Sequence, residues 1–179
     1  MIRDEDLCLL VKAYLRGTPR QGCFSANQTC ADEFEQMKDL ERAISTATLS
    51  VTKQGKRHSH QRRLPASVLT EVKDRLLQKI KEVESCQNFD QLYGLVSGIC
   101  RDVHGAGPLL AYDVSSRIAF GFRTDLRPQL VYLHAGAAKG AEKLGVTGPN
   151  AKLKDFPVPI RRLDSAQAED FLCVFKDKF

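Results

Sequence analysis

The sequence predicts an all-α fold, a multi-helix single domain over residues 1–179 that contains a helix-hairpin-helix element. Three observations carry this expectation. Apolar residues recur at three- and four-residue spacing along most of the chain. Capping signals stand at the heads of several of these stretches. Only the short apolar run from Leu130 to Leu133 is ambiguous, and with no evident partner strand it reads as irregular or helical.

Each element has its own signal. Leu7, Leu10, Val11, Tyr14 and Leu15 share one helical face, and Gly17 with Pro19 ends that first helix. Thr29 is placed to cap a second, whose inner face is Phe34, Met37, Leu40, Ala43 and Ile44. After Pro65 a third presents Val68, Leu69, Val72, Leu76, Ile80 and Val83 on one side, with charged residues largely opposite. Asn88 followed by Gln91 reads as a capping box that opens a helix through Phe89, Leu92, Val96 and Cys100. Pro108 suits the first turn of the next helix, which runs to about Phe120 before Gly121. Ala137 to Leu144 forms a short helix closed by Gly145, and a loop rich in Gly, Pro and Lys comes after it. Asp164 with Gln167 caps a last helix through Ala168, Phe171, Leu172 and Phe175.

No apolar run approaches the length of a bilayer span, and the charged residues from Arg3 to Asp6 do not form a signal peptide. The expectation is a soluble, cytoplasmic protein without a membrane partner. Six cysteines fall at positions 8, 23, 30, 86, 100 and 173 with no CxxC pair, so neither a zinc site nor another metal or cofactor is expected. Cys8, Cys100 and Cys173 sit among apolar neighbours and read as small buried hydrophobes. The His58–His60 pair has no third ligand in view.

Charge placement says more than the net charge. From 47 to 65 there is no acidic residue, while Lys53, Lys56, Arg57, Arg62 and Arg63 supply five positive charges, equal to the whole formal excess of +5. This inter-helix segment is either a phosphate-attracting arm or a solvated linker.

One stretch carries recognisable chemistry: Val103-His104-Gly105-Ala106-Gly107-Pro108-Leu109-Leu110-Ala111. Two glycines flank a small residue in a very short joint between two helices, and Ala111 is small enough for the helices to cross closely. The start of the second helix leaves unpaired N–H groups and a partial positive charge, which suits a phosphate oxygen. Gly105, Ala106, Gly107 and Leu109 are the residues of this seat. A plain αα-turn with a glycine cap has the same sequence form and binds nothing. Further on, His134 and Lys139 within Tyr132-Leu133-His134-Ala135-Gly136-Ala137-Ala138-Lys139-Gly140-Ala141 offer either a second anion seat or, through the small residues, close helix packing.

On these residues the chain resembles the helix-hairpin-helix superfamily, more particularly its DNA glycosylase branch, over residues 88–144. Val131-Tyr132-Leu133-His134 stands where that branch carries a Val-Asp-Thr/Val-His segment. The resemblance implies binding to double-stranded DNA through its backbone. It also implies the loss of the branch's chemistry, since the positions of the nucleophilic lysine and the stabilising aspartate hold Leu109 and Tyr132. Asp113 and Asp125 are the substitute acids, although Asp113, four residues before Arg117, reads more plainly as half of a helix-surface ion pair. The text from Tyr112 to Gly136 also resembles a widespread group of uncharacterised bacterial proteins. The expectation is therefore a non-catalytic DNA-backbone binding module. The alternatives are a base-excision enzyme with a non-standard acid, and a structural or protein-interaction helix bundle.

Overall fold

The computed structural model describes residues 2–16, 39–51, 57 and 61–179. Among them, eight α-helices and one two-stranded sheet make an all-α fold. The helices are α1 (Asp4–Leu15), α2 (Leu40–Leu49), α3 (Ala66–Gln78), α4 (Ile80–Ser85), α5 (Phe89–Arg101), α6 (Pro108–Gly121), α7 (Ala135–Lys143) and α8 (Ser165–Phe175). The strands are β1 (Val131–Tyr132) and β2 (Asn150–Ala151). No helix among the described residues is long and apolar enough to cross a membrane.

The chain clusters into two compact units, one from Asn27–Arg127 and the other from Met1–Ala26 with Pro128–Phe179, where the sequence reading expects one domain. The 88–144 segment is divided between them at Arg127.

In the Asn27–Arg127 unit, α5 packs on α6 and α2 packs on both α3 and α6. Its buried apolar side chains include Ile44, Leu69, Val72, Leu76, Leu92, Val96 and Ile118. Local chemistry explains the helix boundaries. The Asp39 carboxylate accepts from the Glu41 amide and starts α2 at Leu40. Thr29, Phe34 and Met37, with which the sequence reading opens this helix, lie outside the described residues. Asn88 caps α5 by accepting from the Gln91 amide at 2.9 Å, while the Gln91 side chain accepts from the Gln87 amide at 2.8 Å. The third helix of the sequence reading is broken at Lys79, whose amide bonds to the Leu76 carbonyl at 3.0 Å, so α3 ends in a tightened turn and α4 begins anew.

In the other unit, α8 packs on α7, α1 and β1. Its core is built from Leu7, Val11, Tyr14, Val131, Phe156, Ile160, Phe171 and Leu172. Asp164 and Gln167 form the capping box of α8. The run at 130–133, expected to be irregular or helical, is instead a strand: Val131 and Tyr132 pair antiparallel with Ala151 and Asn150. The partner lies inside the Gly- and Pro-rich loop, where two residues of strand leave no periodic signal.

Candidate functional site

The corner between α5 and α6 is as tight as the glycines suggest. After α5 ends, the Val103 amide bonds to the Cys100 carbonyl and the Ala106 amide to the Val103 carbonyl at 3.0 Å, which turns the chain back within a few residues. Val103 is buried and anchors the turn from beneath. Gly105 has φ of +89°, a left-handed conformation that a Cβ would strain. Gly107 is the N-cap of α6 in extended conformation, with Pro108 in the first turn. Ala111 is fully buried and bonds back to the Gly107 carbonyl at 3.2 Å, so the small residue sits where the helices meet.

No side chain caps α6. Among the described residues, no acceptor serves the amides of Gly105, Gly107, Leu109 or Leu110. Gly105 and Pro108 are exposed, and Ala106, Gly107 and Leu109 are half-buried. A Cβ built on Gly107 meets nothing within 4 Å, so the space over the first turn is open, while one on Gly105 lies 3.4 Å from Val68 Cγ2 in α3. This is a helix N-terminus with free donors and room before it, the geometry that accepts an anionic oxygen.

The basic segment is partly accounted for. Lys53, Lys56, His58 and His60 lie outside the described residues. Arg57 forms an antiparallel bridge with Val51, and its side chain donates to the Leu64 carbonyl at 2.6 Å, which gives it a structural task. Arg62 and Arg63 are exposed and, among the described residues, form no ion pair. They precede α3 by three and four residues, and Val68 in its first turn touches the corner, so the pair stands at the end of α3 nearest the hairpin. Acidic groups also border the corner: Glu71, Asp74 and Asp102 line a shallow groove between α3 and the end of α5.

His134 and Lys139 belong to the other unit. His134 precedes α7 and stacks on Tyr132 with ring centroids 6.1 Å apart, and Lys139 is exposed on that short helix. The small residues around them have a packing task. A Cβ at Gly136 would lie 2.5 Å from Cys173 Sγ, and one at Gly140 would collide with the Leu172 carbonyl oxygen, so α7 and α8 approach closely because glycine is there.

The substitute acids of the glycosylase alternative are otherwise engaged. Asp125 is paired with Arg123 at 2.9 Å, which lowers its pKa through the hydrogen bond. Asp113 is held by Gln61 and Arg117, and the ion pair with Arg117 is not on the helix surface as its spacing suggests, because Arg117 is 9% exposed. Tyr132 is buried. Among the described residues no group of His, Cys, Asp or Glu side chains is arranged to hold a metal ion. Of the described thiols, Cys86 and Cys100 are buried and Cys8 and Cys173 half-buried, and burial pushes the Cys100 thiol up to about 11.

Sequence reasoning paired Arg117 with Asp113 but found neither Gln61 nor the contacts of Arg117 with Ala47, Ser50 and Gln61. Gln61 carries no signal of its own in the sequence, and its contact with Arg117 becomes visible once α2, the turn before α3 and α6 are brought together. The chain matches no protein-family model, no curated protein and no solved structure.

Proposed function

We propose that this protein is a non-catalytic module that binds the phosphate backbone of double-stranded DNA at the α5–α6 corner. The observation that carries the reading is the set of amides at Gly105, Gly107, Leu109 and Leu110 that have no acceptor among the described residues, at an uncapped helix start with open space over Gly107. The partial positive charge of the helix start and the exposed Arg62 and Arg63 add attraction that does not depend on base sequence. Binding of this kind is governed by salt rather than by sequence.

Gly107→Asp tests this reading. Aspartate is among the best N-cap residues, its backbone conformation is allowed at this position, and its Cβ enters empty space. Its carboxylate takes the amides that phosphate is proposed to use. Thermal stability should hold or rise by a few tenths of a kcal/mol, the difference between aspartate and glycine at an N-cap, while affinity for a duplex at low salt falls at least tenfold. If the variant is stable and binds as tightly as the wild type, the corner is only a turn.

A further inference from the structure

The polar groups beneath the hairpin connect its second helix to the turn that carries the exposed Arg62 and Arg63. Gln61 is 1% exposed, and both ends of its amide are engaged. Its Nε2 donates to Asp113 Oδ2 in α6, and its Oε1 accepts from Arg117 Nη2 in the same helix at 2.8 Å. Arg117 in turn donates to the Ala47 carbonyl at 3.0 Å and to the Ser50 hydroxyl at the end of α2. The other side of the turn is closed by the Arg57 bond to the Leu64 carbonyl.

We propose that Gln61 is a positioning residue, which locks the Arg62–Arg63 pair to α6 so that the helix start and the two arginines meet one DNA backbone as a single rigid contact. The proposal rests on the DNA-binding reading above. Asp113 lies five residues after Pro108, about 7.5 Å along the helix axis at 1.5 Å per residue. Gln61, bonded to Asp113, is the immediate neighbour of Arg62. The backbone that bears the arginines is thus fixed to the helix that bears the seat at a distance of a few phosphates, which rise about 3.4 Å apiece along one strand.

The side-chain chemistry requires an amide at position 61. It faces a cation on one side and a carboxylate on the other, and only a group with both an acceptor and a donor satisfies both. Glutamate would set a second carboxylate against Asp113, and an apolar residue would leave Arg117 and Asp113 to rearrange in a buried setting, with the turn released. Holding two long arginine side chains on a fixed base lowers the ordering cost that each phosphate contact otherwise carries.

The test is a titration of a labelled duplex of arbitrary sequence, about two helical turns long, at salt concentrations from about 50 to about 200 mM KCl, using the full chain. The variants are Gln61→Met, Gln61→Asn, the Arg62→Ala/Arg63→Ala pair, and the pair combined with Gln61→Met. Two lost phosphate contacts lower the slope of log K against log salt by about 1.8, so the fall in affinity across this range becomes about tenfold smaller. Gln61→Met should reproduce that change with both arginines still present, and the combined variant should bind no more weakly than the arginine pair alone. Gln61→Asn, one methylene too short to bridge both partners, should do the same should the methionine variant not fold. A merely structural role lowers stability and leaves the slope unchanged, and that result overturns the positioning role while the wild type still binds. A wild-type chain that binds no duplex at the lowest salt overturns the DNA-binding reading itself, and this inference with it.

Discussion

Gly140 and Gly107 have the same side chain and opposite constraints. A methyl at Gly140 would press on backbone of α8, which cannot move aside cheaply, whereas a methyl at Gly107 enters open space. Gly140→Ala should therefore cost about 1–3 kcal/mol, the usual range for overpacking, and Gly107→Ala only the roughly 0.5–1 kcal/mol by which alanine is the poorer N-cap, as thermal unfolding would report. Gly94, exposed within α5 with nothing within 4 Å of its would-be Cβ, should gain up to about 1 kcal/mol on replacement by alanine. The buried thiol makes a prediction in pH. The ordinary Cys100 value of 9.0 rises to about 11 in the native protein because burial disfavours the thiolate. A raised native pKa means that this contribution is fully present below pH 9 and is lost as the unfolded chain ionises between pH 9 and about 11. Over that interval the melting temperature of the wild type should fall further than that of Cys100→Ala. Equal falls would show that the thiol ionises as readily in the native protein as in the unfolded chain.

At the scale of elements, the corner between α5 and α6 carries charges of both signs around it. Asp102 caps the end of α5 three residues before Gly105, and Glu71 and Asp74 face the same groove from α3. Glu71 is paired with Arg75 and Asp74 with Lys73, so Asp102 is the carboxylate that a phosphate seated at α6 feels as repulsion, while Arg62 and Arg63 stand beyond the first turn of α3. Asp102→Asn should raise duplex affinity about two- to threefold at low salt, on the order of a unit charge acting several ångströms away through a watery path. The gain should shrink as salt rises. No change at low salt would place the bound phosphates away from this corner. The same elements show why capping was legible in the sequence. Asn88 with Gln91 and Asp164 with Gln167 act over three residues, so the residues that form the bond stand side by side in the text.

For the molecule as a whole, legibility ends where partners are distant in the chain. The helical class comes from periodicity, and the glycine corner from the residues that make it. The strand at Val131–Tyr132 was hidden because its partner is two residues inside a loop. The break at Lys79 was hidden because the apolar face continues through it. Arg117 reads as a surface ion pair with Asp113 from spacing alone, yet its acceptors at Ala47, Ser50 and Gln61 are 56 to 70 residues away. Basic charge, in contrast, was legible as a block and only its members' tasks were not, since Arg57 holds a carbonyl while Arg62 and Arg63 stand exposed.

The most direct measurement is an amide-resolved NMR titration of the labelled protein with duplex DNA at about 50 mM salt, repeated at roughly tenfold higher salt. A phosphate seated on the helix start should shift the Gly105, Gly107, Leu109 and Leu110 amides together and most strongly, with the shifts reversing at high salt as counterions compete. If DNA shifts other regions and leaves those four amides where they were, the corner is not the binding site.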